Sequence, residues 1–364
     1  MLSVVHLDTA QDLRGGQRQL LLLARGLQAR GYKQLVVCPE GSALEARARE
    51  QGLRLFTLPP HDPGQANGIL QLRQQLLAEP AQVLHAHDGR GQALAWLASL
   101  GLPVRRVASR RVTFLPDAPA RHRFIYGRTC HAVIAVSEFI RGLLVSSGVP
   151  EKRIELIPDG IEIPGELPTP EARRRARAAW GFGEQEFVLG HVGAFAPEKG
   201  QDIASAAMRL LPERLPQARL LLVGHVPGAA AAKIEEQVCG PGDSVRLLGD
   251  LEDLADFFAG IDLLVMPSRA EGLGSSALRA MAHGRAVVAS RVGGLPEIVE
   301  EGKTGWLVPA GSPRALAEAI VAAASDRARL SQLGANARER ARQFSSDIML
   351  ARTEALYHRL LARP

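Results

Sequence analysis

The chain has 364 residues, of which 46% are hydrophobic and 23% charged, with a formal net charge of +6; this is an ordinary soluble balance, long enough for two domains with their own cores. No apolar run reaches the roughly 18–20 residues that span a bilayer, and the opening MLSVVHLD lacks the basic start and apolar block of a secretory signal, so a cytoplasmic location is expected. Cys38, Cys130 and Cys239 are far apart and odd in number, which argues against a disulfide framework or a zinc cluster.

Residues 1–165 hold 20 Lys+Arg against 14 Asp+Glu, whereas residues 166–364 hold 24 of each. All the excess positive charge lies in the first half. It fits either a solvated face or attraction to a phosphate-rich acceptor or an anionic bilayer surface. Nucleic acid is not expected, because aromatics make up only 4% of the chain and are not interleaved with the arginines as stacking platforms.

In chain order, the strand Leu2–Leu7 leads through DTAQDLRGGQRQ into a helical pattern that ends at Gly31. Gly15-Gly16 lacks the third glycine of a nicotinamide-binding turn, which leaves a different ligand-facing turn or a plain one. Gln34–Cys38, Ala43–Glu50, Arg54–Leu58 and Ile69–Leu77 continue the strand and helix alternation. Val83–His87 is a strand and Leu94–Leu100 a helix. Ligands in such sheets sit at the carboxyl ends of strands, which places His87 and Asp88 on the functional rim and is taken to turn His85 to the opposite face. His87 is therefore a candidate catalytic group, with a satisfied structural histidine as the alternative.

The densest basic segment follows, with Arg105, Arg106, Arg110, Arg111, Arg121, Arg123 and Arg128 against Asp117. Arginine stays charged and cannot act as a base, but it suits bidentate contact with phosphate or carboxylate. Arg110 and Arg111 are candidate acceptor-side anion binders, or surface charges. Then come the strand Ala132–Val136, the helix Glu138–Ser146 with Ser137 as N-cap, and IELIPDGIEIP. The proline-rich Pro164–Pro170 reads as a hinge.

The second half opens with a helix over Glu171–Trp180, the strand Val188–Val192, the loop GAFAPEKGQD and a helix over Ile203–Leu211. Strands Arg219–Val223 and Val245–Leu248 end at Gly224 and Gly249. Asp262–Pro267 is a buried strand and a helix begins at Ala277, so Ser268–Ser276 is a strand-to-helix turn. An anion belongs there. Gly272 and Gly274 allow close approach, Ser275 and Ser276 add hydroxyls, and the first helical N–H groups point outward with the positive end of the dipole. Glu271 is the one carboxylate of the turn, and so the one acceptor-only side chain there for ligand hydroxyls. Ala286–Ser290, the loop RVGGLPEIVEEGKTGWLV with Glu297, a helix from Pro313 and an amphipathic helix Asp347–Leu361 complete the chain.

The central turn resembles the signature of glycosyltransferase family 4, the retaining GT-B-fold sugar-nucleotide transferases: P-S-x-x-E-G-x-G, with a second glutamate eight residues after the first. Pro267, Ser268, Glu271, Gly272 and Gly274 match, and Arg279 stands where the second glutamate would be. Gly193, Lys199 and Gly200 match V-G-R-x-x-x-x-K-G, with Ala194 replacing the arginine. The Gly15-Gly16 pair, V-S-E followed by I-P-D-G-I-E, G-G-x-P-E and the later G-x-x-G extend the resemblance over nearly the whole chain. Where many members carry a histidine after the strand, this chain reads VASRRVTF.

The resemblance implies an α/β GT-B fold: an acceptor-side Rossmann-like domain over 1–164, a nucleotide-sugar-binding one over 171–345 facing it across a cleft, and a helix over 346–364 crossing back to the first. It implies transfer of a hexose or heptose from a nucleoside diphosphate sugar to an acceptor hydroxyl with retention, in lipopolysaccharide or other cell-envelope glycan synthesis. The catalytic residues it suggests are Glu271 and Lys199, beside His87. The donor-binding set is Gly15, Gly16, Gly193, Gly224, Leu247, Gly249, Ser268, Gly272, Leu273, Gly274, Ser275 and Arg279. No cofactor or metal is expected, because lysine and helix amides can stabilise the departing phosphate and no Asp-x-Asp cluster is present. The expected partners are a nucleotide-sugar donor, a glycan or glycolipid acceptor that bears phosphate, and an anionic membrane surface. The alternative is a non-catalytic nucleotide-sugar or glycan binder, to which the departures at Ala194, Arg279, Arg110 and Arg111 point.

Overall fold

The computed structural model describes residues 2–59, 66–113, 119–225, 238, 244–251 and 253–362, without the side chains of 119–122. Asp117, Cys239 and the side chain of Arg121 lie outside the described residues. The chain forms two compact units, one of residues 1–160 and 346–364 and one of residues 161–345.

The first unit is a seven-stranded parallel sheet: β1 Ser3–Leu7, β2 Lys33–Pro39, β3 Leu55–Leu58, β4 Val83–Ala86, β5 Arg105–Arg110, β6 Ala132–Ala135 and β7 Ile154–Leu156, in the order β3-β2-β1-β4-β5-β6-β7. Crossover helices separate the strands, as parallel pairing requires. The Gly15–Ala29 helix begins at the glycine pair itself, so Gly15 and Gly16 open a helix and do not lie in the loop before it. Ser42 and Ser137 cap their helices by accepting from Glu45 and Ile140 amides, a contribution of about 1 kcal/mol each.

The last helix, Ser346–Leu361, belongs to this unit and packs on Gly15–Ala29. Met349, Leu350, Leu356, Tyr357 and Leu360 join Val4, Leu27, Val83 and Val107 in one buried cluster, and each such side chain contributes about 1.5–3 kcal/mol. A Cβ at Gly26 would stand 2.4 Å from Leu350 Cδ1, so the glycine is what lets the helices close.

The second unit is a six-stranded parallel sheet: β8 Phe187–Val192, β9 Ala218–Val223, β10 Val245–Gly249, β11 Leu263–Met266, β12 Ala286–Ser290 and β13 Gly305–Val308, in the order β10-β9-β8-β11-β12-β13. A helix over Arg327–Arg342, which the sequence reading passes over, buries Leu330, Leu333, Ala337 and Ala341. Asp262, just before β11, is an electrostatic hub. Its carboxylate accepts from Arg173, Arg177 and Arg327 at 2.6, 2.6 and 2.9 Å and from the Val188 amide at 2.8 Å.

Candidate active site

In open α/β sheets, ligands bind outside the carboxyl ends of the strands where the strand order reverses. In the second unit this point lies between β8 and β11. The loop after β8 carries Lys199 and the loop after β11 carries Glu271, and the Lys199 ammonium donates to Glu271 Oε1 at 2.6 Å. Ser268 Oγ donates to the same oxygen at 3.0 Å. Three expected site residues thus meet on one carboxylate.

Neighbouring contacts hold these two loops together. The Arg269 amide donates to the Glu198 carbonyl at 2.8 Å, and its guanidinium reaches the Pro197 carbonyl and the Asp202 carboxylate. The Glu271 backbone rests on the Gly293-Gly294 pair: Gly294 N–H donates to Glu271 O at 3.2 Å, and Gly293 has φ +55°. A Cβ at Gly293 would lie 1.8 Å from Glu271 O, so only glycine fits there. The sequence motif marked this pair, but not what it supports.

After Glu271, Gly272 and the buried Leu273 lead to Gly274, whose left-handed backbone sits at the N-cap of the Ser275–Ala282 helix with no side chain capping it. The first-turn amides are thereby left without a side-chain cap at the helix end, an arrangement suited to an anion. Arg279 is half-buried on the same helix. At the other strand ends, Gly193 N–H donates to Val223 O at 2.9 Å and Gly224 N–H to Gly249 O at 2.8 Å, which sets Gly193, Gly224 and Gly249 in a row along the carboxyl edge of the sheet. Leu247, on β10, packs partly against the core. The Ala194 carbonyl accepts from Gln201 Nε2 at 3.0 Å.

The first unit reverses its strand order between β1 and β4, and there the structure gathers Asp8, Thr9, His87 and Asp88. Asp88 accepts from Thr9 through both N–H and Oγ1 and from the Gly91 amide. Asp8 accepts from the Ala10 amide at 2.9 Å and from Gln17 Nε2 at 3.0 Å. Burial, and then the neighbouring Asp88 charge, push the Asp8 carboxyl up to about 6. Asp8 and Gln17 had no mark in the sequence beyond lying near the glycine pair.

His85 and His87 share one face of the sheet, with rings stacked at 4.1 Å between centroids. The expectation that His85 faces away is corrected: residues two apart in an extended chain point the same way. His87 is also not on an open rim, being only 5% exposed. The Gln34 amide donates to the Lys33 carbonyl, which turns Gln34 Oε1 toward His6 Nε2 at 2.7 Å. His6 Nε2 therefore carries the proton, His6 Nδ1 accepts from His87 Nε2 at 3.1 Å, and His87 Nδ1 is left as an acceptor facing Arg111 Nη1 at 3.4 Å. His85 bonds to the Tyr357 hydroxyl and to Ser109. Burial holds the His6 pKa down at about 4 and those of His85 and His87 well below the ordinary value. One nitrogen from each ring lies within 4.8 Å of the others, but each imidazole nitrogen of this trio has a protein partner, so the cluster acts as a buried hydrogen-bond network.

Arg111 pairs with Asp159 at 2.8 Å, both side chains largely buried. Arg110 is 6% exposed, with its guanidinium over the Tyr126 ring and Nη1 directed at the Tyr126 hydroxyl. The two arginines, expected side by side as acceptor-side anion binders, differ in setting: Arg110 is a buried strand residue, and Arg111 lies beside His87 and the glycine-pair helix, its Cδ 3.9 Å from where a Gly16 Cβ would be.

Residues 13–163 match the family model described as Glycosyltransferase Family 4, and residues 186–326 match that described as Glycosyl transferases group 1. A GDP-mannose-dependent alpha-(1-6)-phosphatidylinositol monomannoside mannosyltransferase from Mycolicibacterium smegmatis is 32% identical over 262 residues, covering 66% of this chain and 68% of that protein. A D-inositol 3-phosphate glycosyltransferase from Kribbella flavida is 29% identical over 314 residues, covering 79% and 73%. Among solved structures, Anabaena Alr3699/HepE in complex with UDP-glucose superposes with a TM-score of 0.88 at 22% identity, over 98% of this chain and 100% of that one.

Proposed function

Since the chain belongs to glycosyltransferase family 4 and has the GT-B fold, we propose that it transfers a hexose or heptose from a nucleoside diphosphate sugar to an acceptor hydroxyl, with retention of the anomeric configuration. The observation that carries this reading is the Lys199–Glu271 pair at the switch point of the second unit, beside the amide-rich Gly272–Ser275 turn. In the proposed reaction the turn amides and Lys199 hold the diphosphate, and Glu271 accepts from hydroxyls of the sugar. As the glycosidic C–O bond to the diphosphate breaks, charge grows on the phosphate oxygen, where a fixed ammonium and helix amides stabilise it. The acceptor oxygen forms the new bond on the face the phosphate leaves, and its proton passes to the departing phosphate. No metal or other cofactor is needed on this account.

The acceptor is proposed to bear phosphate and to lie in cell-envelope glycan synthesis, lipopolysaccharide among the candidates, at the inner face of an anionic membrane. The excess positive charge of residues 1–165 supports this. So do the names of the two relatives, whose acceptors, a phosphatidylinositol monomannoside and an inositol 3-phosphate, both carry phosphate. No described helix is long and apolar enough to cross a membrane. His87 enters as a positioning group that fixes Arg111, the acceptor-side cation. The test is release of nucleoside diphosphate from a panel of UDP-, GDP- and ADP-sugars with phosphate-bearing acceptors; no turnover of any donor, with or without acceptor, contradicts the proposal.

A further inference from the structure

We propose that the first unit carries a second anion site, remote in sequence from the donor turn, that binds a phosphate ester. It is a groove of about 470 Å³ between the end of the Pro119–Gly127 helix and the turn Gly148–Arg153, lined by Arg123, Gly127, Arg128, Gly148, Pro150, Lys152 and Arg153. Four of these seven residues are cations and none is acidic.

Among the described residues, the acid nearest the groove in sequence is committed elsewhere. Glu151, next to Lys152, pairs with Arg141, which also holds Glu138. Among the described residues Arg123, Arg128 and Lys152 have no carboxylate partner. Carbonyls at the end of a helix would repel an anion, but Arg153 donates to the Gly127 and Cys130 carbonyls and covers them. The floor is kept open by backbone. Gly148 has φ +81°, and a Cβ there would come within 2.9 Å of Arg123 Cδ, displacing the arginine stem. Unopposed guanidinium and ammonium groups around a concave floor match a doubly charged phosphate better than a carboxylate.

The helix that lines the groove and the helix that precedes its turn also expose large apolar side chains, Phe124 at 44%, its ring edge-on to Trp96, and Val145 at 43%. This combination favours a lipid phosphate over a soluble one, since apolar residues beside cations suit the boundary between headgroups and acyl chains. The inference does not rest on the transfer reading, because no residue of the groove belongs to the Lys199–Glu271 site.

The test measures binding to phosphatidylcholine vesicles with and without phosphatidic acid, and to glycerol 3-phosphate. It compares Arg123→Gln and Lys152→Gln with Arg209→Gln, an exposed arginine of the second unit that removes the same charge. All variants are first checked for unchanged melting temperature. The site predicts that Arg123→Gln and Lys152→Gln each weaken binding about tenfold, as for loss of a charged hydrogen bond, while Arg209→Gln changes it less than about twofold. Loss confined to vesicles assigns the site to lipid headgroups, and loss that includes glycerol 3-phosphate assigns it to phosphate esters in general. Equal losses in all three variants would show a diffuse surface charge and overturn the proposal, as would binding to neither probe.

Discussion

Lys199 and Glu271 close an ion pair of 2.6 Å between the loops that follow β8 and β11. The pair sits at the edge of a buried carboxylate, so a donor diphosphate that takes the ammonium must compete with Glu271 for it. Lys199→Ala is expected to weaken nucleoside diphosphate binding by about 1.5–3 kcal/mol, the range of a charged hydrogen bond, and nucleoside binding far less. Calorimetric titration of both ligands checks this, and equal losses would show that the lysine shapes the pocket without holding the phosphates.

Asp262 holds the second unit together through three arginines. Burial alone would raise its pKa, but Arg173 and Arg177 outweigh that and hold it below the ordinary carboxylate value. A carboxylate with a lowered folded pKa stabilises above its unfolded pKa, and the contribution is lost as the pH falls through the folded one. Asp262→Ala is expected to cost about 3–5 kcal/mol at pH 7, because three arginines lose their common partner in a buried site. Urea unfolding from pH 7 to pH 3 should show the gap between variant and wild type beginning to narrow once the pH falls below the ordinary carboxylate value. A gap that stays constant with pH would mean that packing, not charge, explains the loss.

Asp8 has the opposite sign. Its folded pKa is raised to about 6 by burial and by Asp88, so its contribution is complete below the unfolded value and is lost as the pH rises through about 6. Asp8→Asn keeps an acceptor for the Ala10 amide and removes the titration. The stability of the variant relative to wild type should therefore climb between pH 4 and pH 7.5, because the wild type loses the proton that burial and Asp88 keep on the Asp8 carboxyl up to about 6. The neutral imidazoles of His6, His85 and His87 lose stability as the pH falls below 6.5, in wild type and variant alike, so they cancel in the difference. A difference that does not move with pH would remove Asp8 from the titrating groups.

Arg279 and Ala194 depart from the family pattern in opposite directions, one gaining a cation and the other losing one. If Arg279 supplies the diphosphate with the charge missing at Ala194, Arg279→Glu should weaken diphosphate binding, and adding Ala194→Arg should restore much of it. Such non-additivity is expected only of residues that share a ligand. Additive losses in this double-mutant cycle would show that Arg279 acts elsewhere.

Much of the fold was readable because its signals are local. Short apolar runs alternating with helical periods mark the strands of both sheets, and Ser137 announces its helix by residue type alone. The Arg327–Arg342 helix escaped because RARLSQLGANARERAR buries mainly small side chains and reads as a polar stretch. At the site, Lys199, Ser268 and Glu271 were legible from motif spacing, but the partners that hold them were not: the Glu271 seat at Gly293-Gly294 is formed by residues more than twenty positions away. Charge was misjudged for the same reason. Arg110 and Arg111 look alike in sequence, yet one lies under the sheet edge against Tyr126 and the other is paired with Asp159, because alternation along β5 and a loop some fifty residues on decide their surroundings.

The central claim is that Glu271, seated by Lys199, Ser268 and the Gly293-Gly294 pair, serves sugar transfer from a nucleotide donor. Its most direct test is the rate of nucleoside diphosphate release from the donor that the wild type turns over, compared with that of Glu271→Gln, with the fold of both checked by melting temperature. The account predicts a fall in kcat of about 10² or more, as for loss of one preorganised contact at a developing charge, with nucleoside affinity unchanged. Turnover by Glu271→Gln within a few-fold of wild type would contradict it.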